Sequence, residues 1–275
     1  MNASDAKNLP IGVFDSGVGG LTVLKAIRDE MPKENLVYLG DTARLPYGTK
    51  SPTSISRYAC QATALLQQND IKLLVVACNT ASAVALEVLR EQMAPLPVIG
   101  VVQPGASAAV AARPQGRHLV LATEATVRLG AYRSALLDLD ADASVTELAC
   151  ELLVSLAEEG WNDSSIAESI VLRYLAELDA ESRQPDSVIL GCTHFPLLRD
   201  TFASVFDGDV SIVDSASTTA AAARQLLAGS SLCNDQAGTG RLELLATDGA
   251  TRFARVGGQF LGHDLSANDV TLVDL

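Results

Sequence analysis

Two cysteines close two short apolar runs, and the residues that follow them are alike in type. The first lies in VVACNTAS, Val75 to Ser82, and the second in GCTHFP, Gly191 to Pro196. Each run before them (IKLLVVA, SVIL) has the length and composition of a strand buried on both faces of a parallel sheet. Small hydroxyl, amide or imidazole side chains come next and open a helix. The carboxyl ends of the strands are where open α/β sheets bind ligands. Two thiols in equivalent positions, one per half of the chain, can face one another across a bound carbon acid. One then takes a proton from one side of the carbon and the other returns a proton from the opposite side, with no cofactor.

That chemistry makes demands on the neighbours. A thiol of ordinary pKa, about 8.5, is mostly protonated at neutral pH. Inversion needs one thiolate and one thiol at a time, so a carboxylate that helps take the thiol proton and an imidazole that steadies a thiolate are the fitting companions. Asp15 and His194 are the candidates. The carbanion must be stabilised as it forms, and Asn79, Thr80, Thr193 and the amides of the turns can do so electrostatically. Lys25, Lys33, Lys50 and Lys72 have no company suited to a pyridoxal Schiff base. Three scattered histidines and five cysteines without Cys-x-x-Cys spacing argue against a metal site. Taken singly, a cysteine at a strand's end is more often a small core residue. His194 alone is as often a hydrogen-bonding helix opener, and Cys60, Cys150 and Cys233 are read as structural. The odds turn on Asp-Ser, Pro-Tyr-Gly, Cys-Asn-Thr and Cys-Thr-His standing together, each at the end of a strand.

The elements that must hold these residues read as an α/β chain. It has 275 residues, 48% of them hydrophobic and 4% aromatic, so aliphatic side chains pack the core of one large or two modest domains. A net charge of −13 disfavours a nucleic-acid backbone as partner. No apolar run is long enough for a membrane span, and the first ten residues lack the apolar stretch of a secretory signal. A reduced, cytoplasmic protein with free thiols is expected. Strands are expected at Ile11 to Phe14, Leu36 to Leu39, Ile71 to Ala77, Val98 to Val102, His118 to Ala122, Val145 to Leu148, Ser187 to Leu190 and Val210 to Val213. Helices are expected between them, including Ala106 to Ala112 after a Gln103-Pro104-Gly105 turn, Val127 to Leu137, Ser164 to Leu178 and Pro196 to Phe206. The tail from Gly240 adds a strand and a helix with little obvious chemistry. VFDSGVGG resembles IVDSASTT and ACNT resembles GCTH, which suggests two similar lobes with a cleft between them.

The combination of IGVFDSGVGGLTVL, GDTARLPYGTKS, VVACNTASA, VIGVVQPGA, ATEAT and VILGCTHFPLL resembles the cofactor-independent aspartate/glutamate racemases from about Leu9 to Gly262. The resemblance implies two α/β lobes with mainly parallel sheets, residues 1–102 with 212–275 forming one and residues 103–211 the other. It implies interconversion of L- and D-glutamate by Cys78 and Cys192 as paired acid and base, without cofactor or metal, feeding peptidoglycan synthesis. Asp15, Ser16, Tyr47, Gly48, Asn79, Thr80, Thr193 and His194 would bind substrate or assist the thiols. Glu158 would be the family's acidic residue near the second cysteine, and Thr123 and Thr126 would lie on its threonine-bearing loop. Glu151 and Ser155 stand where relatives carry prolines, and Gln103 where a glutamate is common. Aspartate racemisation, or a cleft that binds without turnover, are the rival readings. The partner expected is a small amino acid, not nucleic acid or membrane, and a homodimer is left open.

Overall fold

The computed structural model describes residues 3–206 and 208–275; Met1, Asn2 and Asp207, which fall in the two expected units, lie outside the described residues. In chain order the elements are α1 (Ala3–Asn8), β1 (Ile11–Asp15), α2 (Leu21–Glu30), β2 (Leu36–Gly40), α3 (Pro52–Gln67), β3 (Leu73–Val76), α4 (Asn79–Met93) and β4 (Val98–Gly100). Then come α5 (Val102–Ala112), β5 (Arg117–Ala122), α6 (Glu124–Leu129), α7 (Ala131–Leu139), β6 (Ser144–Ala149), α8 (Glu151–Glu159), α9 (Ser165–Leu175) and β7 (Ser187–Gly191). A 3-10 turn (Phe195–Leu198) leads into α10 (Arg199–Val205), β8 (Ser211–Asp214), α11 (Ser215–Gly229), β9 (Leu242–Ala246), α12 (Ala250–Leu261) and β10 (Val270–Leu272).

The strands form two sheets, six-stranded β10-β9-β2-β1-β3-β4 and four-stranded β6-β5-β7-β8, and every pairing is parallel. Alternation along each strand sends side chains to opposite faces. In the first sheet Ile11, Val13, Tyr38, Leu73 and Val75 pack under α2, α11 and α12. Phe14, Val37, Leu39, Leu74 and Val76 pack under α3 and α4. The second sheet repeats the plan: Leu119, Leu121, Val188 and Leu190 face α8, α9 and α10, while Val120, Ala122 and Ile189 face α5 and α7. Each Val, Leu, Ile or Phe among them contributes roughly 1.5–3 kcal/mol when fully buried, which is why these runs read so continuously apolar.

Several local expectations are corrected. The expected boundary at residue 212 falls inside β8, which pairs with β7 and stays in the second sheet; the chain returns to the first sheet through α11, packed on both α2 and α5. Helix α5 starts at Val102, not Ala106, because Pro104 sits in its first turn, where a missing N–H costs nothing. The expected helix Val127 to Leu137 is two helices, broken at Gly130 with φ +61°. The expected helix from Pro196 opens instead as a 3-10 turn, Phe195–Leu198, before α10 begins. The tail carries a second strand, β10, on the edge of the first sheet beside β9.

Candidate active site

The two sheets turn their carboxyl edges toward each other, and the end of each central strand delivers part of the site. Asp15 closes β1 and is buried; its Oδ2 accepts from the Gly17 N–H at 2.9 Å, while Oδ1 has no hydrogen-bond partner. Burial pushes its pKa up, and the charge of His194 and the amides of Gly20, Gly17 and Ser16 pull against that. Cys78 follows β3 as the N-cap of α4, its Sγ accepting from the Ala81 N–H at 3.4 Å and donating to the Ser16 hydroxyl at 3.3 Å. Helix N-termini favour a thiolate. Burial nonetheless pushes the Cys78 thiol up to about 12, with Asp15 adding to the rise and the Ser16 and Ala81 hydrogen bonds opposing it.

Cys192, one residue past β7, has a different companion: its Sγ is 3.7 Å from Nδ1 of His194. The other ring nitrogen, Nε2, is 3.2 Å from Oε1 of Glu158 on α8, and Oε2 of Glu158 accepts from Arg252 on α12 at 2.6 Å. Burial alone lowers the imidazole pKa, but the hydrogen bonds and charges of Cys192 and Glu158 overcome it and raise His194 to about 10. Glu158 is held below the usual carboxylate range, since hydrogen bonding and charge from His194 and Arg252 outweigh its burial. The Phe260 ring meets the imidazole edge-on at 5.1 Å and sets its plane.

Between the thiols lies a cavity of about 50 Å³ lined by Ser16, Pro46, Tyr47, Gly48, Cys78, Asn79, Thr80, Thr123, Glu151, Val154, Cys192, Thr193 and His194. The loop bearing Tyr47 is fixed from below by Asp41, which accepts from the Tyr47 hydroxyl (2.5 Å), Arg44 Nε (2.7 Å) and the Thr247 hydroxyl (3.0 Å). Thr80, Thr123 and Thr126 join their hydroxyls across the lobes at 2.9–3.3 Å. Asn79 accepts from the Tyr132 hydroxyl at 2.7 Å and donates to Ser215 at 3.5 Å, so its amide is fixed from the side away from the cavity.

A family model described as Asp/Glu/Hydantoin racemase matches residues 18–223, about three quarters of the chain. The chain belongs to that racemase family. It is 45% identical over 265 residues to a glutamate racemase of Geobacter metallireducens, covering 96% of each chain. Two solved structures are similar over 98% of both chains: the glutamate racemase of Francisella tularensis in complex with D-glutamate, 33% identical with a TM-score of 0.89, and a glutamate racemase isoform of Bacillus anthracis, 36% identical with a TM-score of 0.91.

Of the residues singled out by sequence, Ser16, Tyr47, Gly48, Cys78, Asn79, Thr80, Thr123, Cys192, Thr193 and His194 line the racemase cavity. Asp15, Glu158 and Thr126 stand one layer back, against Cys78, His194 and the other two threonines. Of the three departures, Gln103 and Ser155 are exposed on their helices, but Glu151 is on the cavity wall. Its Oε1 accepts from the Glu124 N–H at 2.5 Å, capping α6 in place of Thr123, whose hydroxyl is taken by Thr80 and Thr126. Val154, Arg252 and Phe260 are additions that sequence reading missed. No signal near them marks them out, because each meets the site only through the fold.

Proposed function

We propose that this chain interconverts L- and D-glutamate by two-base proton transfer between Cys78 and Cys192, with no cofactor. The observation that carries the reading is that two thiols share one small cavity and have unlike partners. Cys78, beside Asp15 and the Ser16 hydroxyl, is held as a thiol; Cys192 has beside it, 3.7 Å away, an imidazole favoured in its charged form. One acid and one base facing the same carbon is the resting arrangement that inversion needs. Cys192 takes the α-proton from one face, Cys78 donates from the other, and the reverse reaction exchanges the roles. Hydroxyls and amides of Ser16, Asn79, Thr80, Thr123 and Thr193 accept the task of gripping the substrate carboxylates and carrying charge toward the carbanion. Glutamate, not aspartate, is favoured by the identity to glutamate racemases over nearly the whole chain.

The five cysteines are all free, which suits a reducing cytoplasm, and D-glutamate made there would serve peptidoglycan synthesis. Among the described residues no helix is long and apolar enough to cross a membrane. The test is a coupled assay of purified protein on D- and L-glutamate and aspartate without pyridoxal phosphate, followed by early turnovers in deuterated water. Product glutamate should carry deuterium at Cα while unreacted substrate stays protiated. Turnover of aspartate alone overturns the substrate; equal early labelling of both pools overturns the two-base mechanism.

A further inference from the structure

Helix α12 belongs to the first lobe by packing, since Phe253, Val256 and Phe260 join the core beneath the six-stranded sheet. It nevertheless also reaches the second lobe. Arg252, half exposed, donates to Oε2 of Glu158 at 2.6 Å; Gln259 approaches Gly160 at the end of α8; and Phe260 abuts the His194 ring. Glu158 therefore has one oxygen on each side of a line: Oε1 on His194 and Oε2 on Arg252. The line continues through the imidazole to the Cys192 sulfur. All of α12 lies beyond residue 223, where the family match ends.

A carboxylate on an α-helix has three rotatable bonds, and one hydrogen bond to an imidazole leaves it free to swing. A second charge-assisted bond to its other oxygen removes that freedom and leaves Oε1 aimed at Nε2. The charged groups that bear on His194 are Cys192 and Glu158 from its own lobe and Asp15 from β1; those on Glu158 are His194 and Arg252. Arg252 is the one cation supplied to this set from α12, and its charge by itself would disfavour a protonated imidazole. Its contribution is thus orientation of Glu158 and not direct electrostatics. We propose that Arg252 is a positioning residue for proton transfer at Cys192, holding Glu158 against His194 from across the cleft.

The proposal rests on the two-thiol reading, and the test separates the two. In a Cys78→Ser background, the rate at which iodoacetate carboxymethylates Cys192 reports its thiolate without any turnover; the modified peptide is identified by mass. Arg252→Ala should slow that reaction at neutral pH roughly 2–5-fold, the range an exposed ion pair spans. Arg252→Lys should restore most of it. Glu158→Gln should slow it further, and adding Arg252→Ala to Glu158→Gln should then change nothing. In otherwise native protein, Arg252→Ala should lower kcat/KM for both glutamate enantiomers by the same factor. Unchanged alkylation in Arg252→Ala, or an effect that persists undiminished in the Glu158→Gln background, overturns the positioning role. Alkylation rates in this order in the Cys78→Ser background, with native protein that racemises no glutamate, overturn the substrate reading and leave this one standing.

Discussion

The Thr22 hydroxyl shares its proton between the Gly19 carbonyl in its own turn and the Thr193 carbonyl on the other lobe, both at 2.9 Å. The first turn of α2 is thereby fastened to the residue that follows Cys192. The contact depends on how close the glycine turn comes: a Cβ at Gly19 would overlap Thr193 Oγ1 and the His194 ring.

Gly19→Ala should therefore misplace the imidazole while leaving both sheets intact. Overpacking of this kind costs about 1–3 kcal/mol of stability, and a displacement of roughly an ångström at a reacting group costs about 10²-fold in rate. The expected outcome is a folded protein with kcat/KM reduced about 100-fold, measured beside its thermal unfolding. Native activity in Gly19→Ala would show that the turn yields without disturbing His194.

The resemblance to the aspartate/glutamate racemases, and not the geometry of the thiols, implies which face each cysteine serves, and it gives a directional prediction. With Cys192 abstracting from L-glutamate and Cys78 from D-glutamate, a serine at either position is the poorer base, being far less ionised at neutral pH. Cys78→Ser should show a larger isotope effect from α-deuterated D- than L-glutamate, and Cys192→Ser the opposite order. Both variants lose kcat in both directions. Reversed orders would keep two bases and exchange their faces.

Stability should depend on pH through the His194–Glu158 pair with opposite signs at the two ends. His194 is raised from 6.5 to about 10, so its contribution is complete below 6.5 and is lost as pH rises toward 10. Glu158 is lowered from 4.5, so its contribution is complete above 4.5 and is lost as pH falls below that value. Denaturant unfolding of native, His194→Gln and Glu158→Gln proteins across that span should show native losing its margin over the first at high pH and over the second at low pH. A margin that widens in either direction contradicts the pairing.

Glu151 offers a test of the one departure that reaches the cavity. As the first residue of α8 it occupies a position where proline and acidic residues both fit, and its carboxylate caps α6. Glu151→Gln keeps an oxygen for the Glu124 amide and should leave KM for glutamate near native. Glu151→Ala should raise KM about fivefold with kcat little changed, equivalent to roughly 1 kcal/mol for a lost capping bond. Equal KM in both variants would mean that the cap does not order this wall.

Much of the site was legible because its parts sit at the ends of strands, where an apolar run stops and a polar residue starts. Asp15, Cys78, Thr123 and Cys192 were all visible that way. What escaped is what only folding brings together. Arg252 lies 94 positions from Glu158, and Thr22 171 positions from Thr193, so no local pattern joins them. Gly130 was hidden inside an apolar-periodic stretch that its left-handed backbone divides. The short edge strand β10 has a single buried residue, Val270, and so no alternation to reveal it.

The order of strands in the larger sheet bears on how the chain is made. The four-stranded sheet draws on one continuous stretch, residues 117–214, and can close as soon as that stretch leaves the ribosome. The six-stranded sheet cannot: β2 must wait for β9, whose first residue is Leu242, to cover its open side. Domains fold as units during synthesis, and an unpaired strand edge is a template for association with other chains. The nascent chain thus carries a finished second lobe while β2 still offers its backbone to solvent, and that side stays open until Leu242–Ala246 has emerged to pair with it.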